Sequence, residues 1–392
     1  MESIINRKRF NPCTSLTKEK LELALQKVME ITGNNIDFYG NKIPVGACKD
    51  GVYELSNNTD DWTQGFWTGI LWNLYQLNGD SRYKDAGNAA IDSFYHRIEN
   101  RLGVDHHDMG FLYSLSCVAA YRLAQNQKAK KAAFMACDAL IERYRPEGEF
   151  IQAWGSLTTS KPRMIVDCLL NIPLLYWASE ETGNKEYADI AFKHFKTTVK
   201  YILREDGSTF HTFFFDGTTG HPLYGSTAQG ASDDSIWSRG QAWVIYGSVL
   251  TYLYKENSYS PDMFKKAANV FLNRLPKDYV CYWDLIYSDG SDEERDSSAA
   301  AIAACGLLAG ADILSSGDPD KEIYTNAAMH IVNSLIDNYI VQKPVKGGGV
   351  IEHGVYSKPG NNGIDECNVW GDYFFVEALG RLILKNNYKI LW

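Results

Sequence analysis

Asp167 stands in the middle of an apolar run, residues 163–175, with the sequence RMIVDCLLNIPLL. Aspartate is a poor helix former and is rarely buried without a partner. Burial raises the pKa of a carboxyl group, so a buried aspartate can hold a proton near neutral pH and donate it as a general acid. Arg163 and Asn171 lie four residues to either side, on one face if this run is helical. A structural aspartate paired with Arg163 is the competing interpretation.

A second acidic candidate, Asp108, follows two histidines in the segment DHHDMGF, residues 105–111. A carboxylate beside imidazoles would complement Asp167, because glycan-processing enzymes commonly use two carboxyl groups in different surroundings. Since Asp108 precedes a predicted helix, its competing role is that of an N-cap that accepts a backbone hydrogen bond.

Indole rings accompany an arginine at the start of another predicted helix. Arg239 and Trp243 are four residues apart, hence on one helix face. A guanidinium can fork onto the carboxylate of an acidic sugar while an indole packs against its ring. Taken alone, each side chain is equally compatible with a place in the core or at a helix cap. Further candidates for the same pocket lie in loops or helix starts: Trp62, Trp154, His211 and Gln229.

Composition and motifs exclude several other functions. The net charge is -9 and no block of Lys and Arg is present, which argues against nucleic acid as a partner. No apolar run approaches the roughly 18 residues of a membrane span, and the first residues lack a signal-peptide pattern, so we expect a cytoplasmic protein. The 8 cysteines have no metal-ligand spacing, which predicts free thiols. The sequence also contains no HExxH motif, no P-loop and no Rossmann glycine fingerprint, so we expect neither a metal nor a cofactor.

Helical periodicity dominates the chain. A weak repeat of roughly 50–70 residues joins the helices in pairs, which cannot bury their apolar faces alone. We therefore predict an all-α fold, an (α/α)6 barrel of six helical hairpins forming a single domain over residues 1–392, with an open solenoid as the alternative. Long aromatic loops between hairpins would gather at the ends of the ring and form a pocket. The twelve predicted helices cover residues 18–33, 62–77, 83–102, 109–125, 129–144, 163–182, 185–203, 238–255, 261–275, 297–315, 321–339 and 370–385.

These motifs resemble glycoside hydrolase family 88, the unsaturated glucuronyl hydrolases, over nearly the whole chain. A related family of unsaturated rhamnogalacturonyl hydrolases shares the barrel and part of the pattern. The segments that carry the resemblance are residues 59–72 (TDDWTQGFWTGILW), 105–115 (DHHDMGFLYSL), 151–155 (IQAWG), 166–175 (VDCLLNIPLL), 211–216 (HTFFFD), 237–247 (WSRGQAWVIYG), 295–308 (RDSSAAAIAACGLL) and 370–373 (WGDY).

The resemblance implies an (α/α)6 barrel that removes terminal 4,5-unsaturated glucuronic acid from lyase-generated glycosaminoglycan oligosaccharides by metal-free hydration of the C4=C5 bond. Asp167 would protonate C4 and help to activate the water that adds at C5, and Asp108 is the second catalytic aspartate of the family. The expected partner is a small anionic oligosaccharide, and the protein itself is expected to be a monomer or a weak homo-oligomer. The implied substrate contacts are Trp62, His107, Trp154, His211, Gln229, Arg239, Trp243, Ser357 and Lys358.

Three alternatives stay open at this point. An unsaturated rhamnogalacturonyl hydrolase would act on pectin fragments, and a glycan-binding barrel would bind without turnover. A sugar epimerase can share the (α/α)6 fold, which alone does not decide function.

One segment departs from the family pattern. Members that prefer sulfated disaccharides carry a Ser-x-x-Ser-x-Lys motif near the C-terminus, and residues 357–362 read SKPGNN here. Only Ser357 is kept, and Lys358 is the cation left to reach a sulfate. The departure favours unsulfated or weakly sulfated substrates.

Overall fold

The computed structural model describes residues 2–392, and helices make up most of it. The helix over residues 109–124, α4, is continuous and contains a π turn at Ser114–Val118. The helices are α1 (Lys18–Tyr39), α2 (Gln64–Asn78), α3 (Ser81–Glu99), α4 (Met109–Tyr113, Ser114–Val118 and Ala119–Ala124), α5 (Gln127–Ile141), α6 (Pro173–Thr182), α7 (Lys185–Tyr201), α8 (Ser238–Tyr254), α9 (Tyr259–Asn273), α10 (Ser297–Ile313), α11 (Lys321–Ser334) and α12 (Val369–Leu384).

The even-numbered helices form an inner ring and the odd-numbered helices surround it. Neighbouring inner helices pack against each other in chain order, and α12 returns to pack against α2, which closes the ring. The inner helix α8 is buried from Ser238 to Thr251, whereas the outer helix α7 buries one face. Burial on all sides is typical of a core helix, whereas a single apolar stripe is typical of a surface helix. The predicted (α/α)6 barrel is therefore confirmed, with α1 as the outer partner of α12.

Tight turns join each inner helix to the outer helix that follows it in the clearest repeats. Gly79 and Gly183 end α2 and α6 at φ values of 72° and 75°, which glycine adopts without steric cost. Asp80 and Asn184 then cap α3 and α7 by accepting backbone N–H groups. In both repeats, therefore, the glycine ends the inner helix and the following Asp or Asn caps the outer helix.

Long loops lead from each outer helix back to the next inner helix. All six inner helices therefore begin at the same end of the ring, and the loops that gather there contain short antiparallel sheets. The strands are β1 (Ile43–Pro44), β2 (Leu55–Ser56), β3 (Tyr144–Arg145), β4 (Phe150–Ile151), β5 (Arg163–Ile165), β6 (Thr212–Phe215), β7 (Pro222–Ser226), β8 (Gly354–Ser357) and β9 (Asn362–Glu366). They pair as β1-β2, β3-β4, β5-β6-β7 and β8-β9.

The predicted helix over residues 163–182 is wrong in its first half. Arg163–Ile165 forms strand β5, Val166–Leu170 forms a 3-10 turn, and helix α6 begins only at Pro173. Proline is favoured in the first turn of a helix, where its missing N–H costs nothing. Strand β5 pairs with β6. Residues 208–215 alternate enough between polar and apolar side chains to indicate a short strand there as well.

Two predictions from composition are also testable in the structure. None of the helices within residues 2–392 has the length and hydrophobicity that a bilayer crossing requires. All eight cysteines are buried and free, as their scattered spacing predicted.

Candidate active site

A cavity of about 280 Å³ opens at the end of the ring where the inner helices begin. It contains every predicted site residue except His107, Ser357 and Lys358. A larger groove of about 990 Å³, between α1 and the far ends of α10 and α12, contains none of them. The residues that line the first cavity are Trp62, Asp108, Trp154, Arg163, Ile165, Asp167, His211, Thr212, Ala228, Gln229, Trp237, Arg239, Trp243 and Tyr356.

Asp167 is held in the cavity by the 3-10 turn that precedes α6, with its side chain 18% exposed. Its Oδ1 atom is buried without a hydrogen-bond partner and lies 3.5 Å from Nε2 of His107. Burial, and secondly the charge of Asp108, raise the pKa of Asp167 well above its usual 3.8. The alternative of an ion pair with Arg163 does not occur among residues 2–392, because β5 separates Arg163 from the turn. Burial and the charge of Asp108 both favour the protonated form of Asp167.

Asp108 occupies the N-cap position of α4, yet its side chain makes no capping hydrogen bond. Instead its carboxylate lies 3.2 Å from Nδ1 of His106 and 3.3 Å from Nε2 of His107. It also accepts a hydrogen bond from the amide of Asn171 at 3.4 Å. Burial alone would raise the pKa of Asp108, but these neighbours outweigh burial and lower it. The surroundings of Asp108 thus favour its ionised form, whereas those of Asp167 favour its protonated form.

His107 lies behind the lining of the cavity, next to Asp108 and Asp167. It is fully buried, and burial lowers its pKa to about 4, so the imidazole is neutral at pH 7. Donor atoms of His107, Asp108 and Asp167 lie within 4.8 Å of one another, close enough to hold a metal ion. Metal binding requires an ionised Asp167, however, and the surroundings of Asp167 favour its protonated form. A bound cation would itself favour the ionised form, so the geometry of the three groups is compatible with proton transfer and with metal binding.

Arg239 lies in the first turn of α8 and lines the cavity, although its side chain is almost fully buried. Its guanidinium pairs with Asp296 at 3.4 Å and donates to Gln229 and to the carbonyl of Tyr356, each at 2.7 Å. A further N–H donates to the carbonyl of Val355, which leaves only Nε without a partner. The predicted fork onto a sugar carboxylate is therefore occupied by protein acceptors, and Arg239 supplies positive charge and orients Gln229.

The side chain of His211 offers a neutral hydrogen-bond donor to the cavity. Its Nδ1 accepts from the backbone N–H of Ala228 at 3.1 Å and from the hydroxyl of Thr212 at 2.8 Å. These two bonds place the ring proton on Nε2. Burial, the charge of Arg239 and the charge of Arg163 lower the pKa of His211 to about 3, so the ring stays uncharged.

Four indole rings line the cavity, those of Trp62, Trp154, Trp237 and Trp243. Trp62 stacks on Trp370 with ring centroids 5.4 Å apart, and Trp243 is almost fully buried. Trp154 lies at the rim, 37% exposed, and stacks on His106 with ring centroids 4.3 Å apart. Exposed and rigid, Trp154 is the ring best placed to receive the face of a sugar.

The structure does not place Ser357 and Lys358 in the cavity. Lys358 pairs with Glu294 and lies 3.6 Å from Glu293, and the hydroxyl of Ser357 accepts the N–H of Gly360 in the β8–β9 turn. Both carboxylates belong to the acidic run at residues 291–296, which sequence alone assigns to a solvated loop.

Several lining residues were missed by sequence reasoning. Tyr356 accepts a hydrogen bond from Nε1 of Trp62 at 2.8 Å across the cavity wall. The long segment before α8, residues 210–237, contributes Thr212, Ala228 and Trp237. In the sequence, only the position of this segment before α8 links these residues to the cavity. Arg163 was noticed as a possible partner of Asp167 but not as a lining residue.

A closed ring of hairpins with an aromatic cavity, a buried arginine and two neighbouring carboxyl groups whose pKa values shift in opposite directions is typical of a carbohydrate-processing enzyme on an (α/α)6 barrel. Residues 41–376 match Glycosyl Hydrolase Family 88, and the chain belongs to this family of glycoside hydrolases.

Curated relatives are similar over the full length. The unsaturated chondroitin disaccharide hydrolase of Streptococcus pneumoniae is 45% identical, covering 100% of this chain and 98% of the relative. The unsaturated glucuronyl hydrolase of Bacillus sp. GL1 is 40% identical, covering 92% and 96%.

Solved structures agree with the fold. The unsaturated glucuronyl hydrolase of Streptococcus agalactiae superposes with a TM-score of 0.96 at 45% identity, covering 100% of this chain and 98% of the other. A mutant of that enzyme in complex with dGlcA-GalNAc6S has a TM-score of 0.89 at 43% identity, with the same coverage.

Proposed function

We propose that the enzyme removes the terminal 4,5-unsaturated glucuronic acid from glycosaminoglycan disaccharides by hydrating the C4=C5 bond, with Asp167 as the proton donor. The observation that carries the proposal is the position of Asp167 and Asp108 in one cavity, where both face His107 and their pKa values are shifted in opposite directions. Full-length similarity to enzymes named for unsaturated chondroitin disaccharides and for unsaturated glucuronyl groups supports the substrate.

The first step is proton transfer from Asp167 to C4, which breaks the double bond and leaves positive charge shared between C5 and the ring oxygen. Ionised Asp108 stabilises this charge electrostatically. Water then adds to C5 and gives its proton to the carboxylate of Asp167, which restores the acid. General acid–base catalysis of this kind requires a group that is protonated at the working pH, and the raised pKa of Asp167 favours that form.

The product of hydration is a hemiketal at C5. Its bond to the ring oxygen breaks, C5 becomes a ketone, and the ring opens. The former ring oxygen then forms a carbonyl at C1 as the bond to the remaining sugar breaks, and that sugar leaves with a proton. Because no group displaces the leaving sugar at C1, the separation of the two carboxyl groups does not predict inversion or retention.

The end of the ring where the cavity lies suits an anionic sugar despite the net charge of -9. Six inner helices begin there, and the positive ends of their dipoles point toward the cavity. The charge of Arg239 and the Nε2–H donor of His211 add to this local field. We propose that Trp62, Trp154, Gln229 and Trp243 complete the contacts and that residues 1–392 act as one catalytic domain.

The experiment that tests the proposal compares two substrate classes with purified enzyme. Unsaturated chondroitin disaccharide and an unsaturated rhamnogalacturonan fragment are supplied at equal concentration, and loss of the ultraviolet absorbance of the conjugated uronate is followed. We expect the chondroitin disaccharide to be consumed preferentially. Preference for the pectin fragment would assign the rhamnogalacturonyl activity, and binding without turnover of either would leave a glycan-binding barrel.

A further inference from the structure

Two cations near the cavity, Lys358 and Arg163, differ in what they contact. Lys358 follows the position where sulfate-preferring relatives carry their motif, but its ammonium group pairs with Glu294 and lies 3.6 Å from Glu293. Glu293 is itself held in place by the indole N–H of Trp283 at 2.8 Å. An anion could bind Lys358 only by displacing these carboxylates, so the charge of Lys358 is already neutralised.

Arg163 has the opposite character. It lines the cavity, and among residues 2–392 its side chain makes no ion pair and no hydrogen bond. Its buried Nε has no partner, although a partly buried charge without one is costly. The charge of Arg163 reaches the cavity, because it helps to lower the pKa of His211. A guanidinium in this state is prepared to bind an anion that enters the cavity.

The backbone of β5 fixes Arg163 at the rim. Its carbonyl accepts the N–H of Ala153 at 2.9 Å, which places Arg163 next to Trp154 on the adjoining segment. Trp154 is 37% exposed, whereas Asp167 lies at the floor. A cavity of about 280 Å³ is below the roughly 300–1,000 Å³ of common ligand sites. If the terminal unsaturated sugar occupies the floor beside Asp167, the next sugar lies toward Trp154 and Arg163, which line the same cavity.

We propose that Arg163 binds a sulfate ester on the sugar that leaves, and that it thereby determines which sulfated disaccharides the enzyme accepts. The inference rests on the proposed function, since the unsaturated sugar must occupy the floor. A guanidinium fork matches the tetrahedral oxygens of a sulfate as it matches those of a phosphate. Loss of the Ser-x-x-Ser-x-Lys pattern at residues 357–362 then does not exclude sulfated substrates, because a different cation serves them.

The test uses the full-length enzyme with Arg163→Met and Arg163→Lys. Lys161→Met removes an exposed cation two residues away that does not line the cavity, and Lys358→Met removes the competing cation. Unsaturated chondroitin disaccharides without sulfate, with 4-sulfate and with 6-sulfate are compared by kcat/KM. A sulfated disaccharide that is not turned over is measured as a ligand by calorimetry, and thermal melting confirms that each variant is folded.

We expect Arg163→Met to lower kcat/KM or affinity for at least one sulfated disaccharide about tenfold more than for the unsulfated one, as a lost charged hydrogen bond predicts. Arg163→Lys should restore part of the difference, and Lys161→Met should leave the ratio between the disaccharides unchanged.

Three results would overturn the inference. An equal loss on all three disaccharides in Arg163→Met would assign Arg163 to the uronate carboxylate. A ratio that changes only in Lys358→Met would assign the sulfate to Lys358. Sulfated disaccharides that wild type and Arg163→Met bind equally well, or that neither binds, would leave no role for Arg163. Failure of the proposed function is distinct, because wild type would then not consume the unsulfated disaccharide.

Discussion

Asp108 and Asp167 face one imidazole: Nε2 of His107 lies 3.3 Å from Oδ1 of Asp108 and 3.5 Å from Oδ1 of Asp167. Because the His107 ring between the two carboxyl groups is neutral, it places no positive charge between Asp108 and Asp167. The charge of Asp108 then favours the protonated form of Asp167, which is the form that can donate a proton to C4.

Asp167→Asn should abolish turnover while leaving the fold and substrate affinity largely intact. The amide keeps the shape of the carboxyl group but cannot donate the proton, so kcat should fall at least about 100-fold. Steady-state kinetics measure the loss, and calorimetry with the unsaturated disaccharide measures affinity. A variant that retains near-wild-type kcat would remove Asp167 from the mechanism.

Asp108→Asn should move the alkaline limit of activity to lower pH. Asp167 acts in its protonated form, and the negative charge of Asp108 raises its pKa. Removal of that charge lowers the pKa of Asp167, so its proton is lost at a lower pH than in wild type. The pH profile of kcat/KM, recorded on the residual activity, measures the shift. An alkaline limb that stays in place or moves upward would contradict the coupling.

Arg239→Ala should both destabilise the fold and raise KM. Its buried partner Asp296 would be left as an unpaired charge, a change that typically costs about 3–5 kcal/mol. Urea unfolding measures the stability, and kinetics on the unsaturated disaccharide measure KM. The double variant Arg239→Ala/Asp296→Asn serves as the control, since it removes both charges. Full stability in the single variant would show that the pair is not a structural element.

Most of the fold follows from the sequence because its signals are local. The turn pairs Gly79-Asp80 and Gly183-Asn184 stop one helix and cap the next, so the hairpin repeat is readable residue by residue. Closure of the ring depends on packing between α12 and α2. The sequence supports closure only in that neither the first nor the last hairpin looks like the polar capping repeat of an open solenoid.

The failures arise where long-range contacts override a local pattern. Residues 163–165 satisfy a helical period, yet pairing with β6 draws them into a strand. The same pairing moves Arg163 away from Asp167 and into the wall of the cavity. Likewise, Arg239 contacts Asp296 and Tyr356, which lie 57 and 117 residues away, and Lys358 pairs with Glu294, 64 residues away. No sequence spacing shows that Arg239 is saturated and that Lys358 is neutralised.

A strong chelator should leave kcat and KM unchanged. The proposed proton transfer uses the protonated form of Asp167, whereas a metal ion held by His107, Asp108 and Asp167 would require the ionised form. Activity is compared before and after prolonged dialysis against chelator, with and without added divalent ions. Inhibition that a specific metal reverses would show that the cluster works as a metal centre.

The most direct test of hydration follows two signals in one reaction of wild-type enzyme with unsulfated unsaturated chondroitin disaccharide. One is the ultraviolet absorbance of the conjugated uronate, and the other is the released amino sugar. Hydration at C4 and C5 predicts that the absorbance disappears in a one-to-one ratio with sugar release, and never lags behind it. Release of the sugar while the absorbance persists would mean cleavage at C1 and would contradict the mechanism.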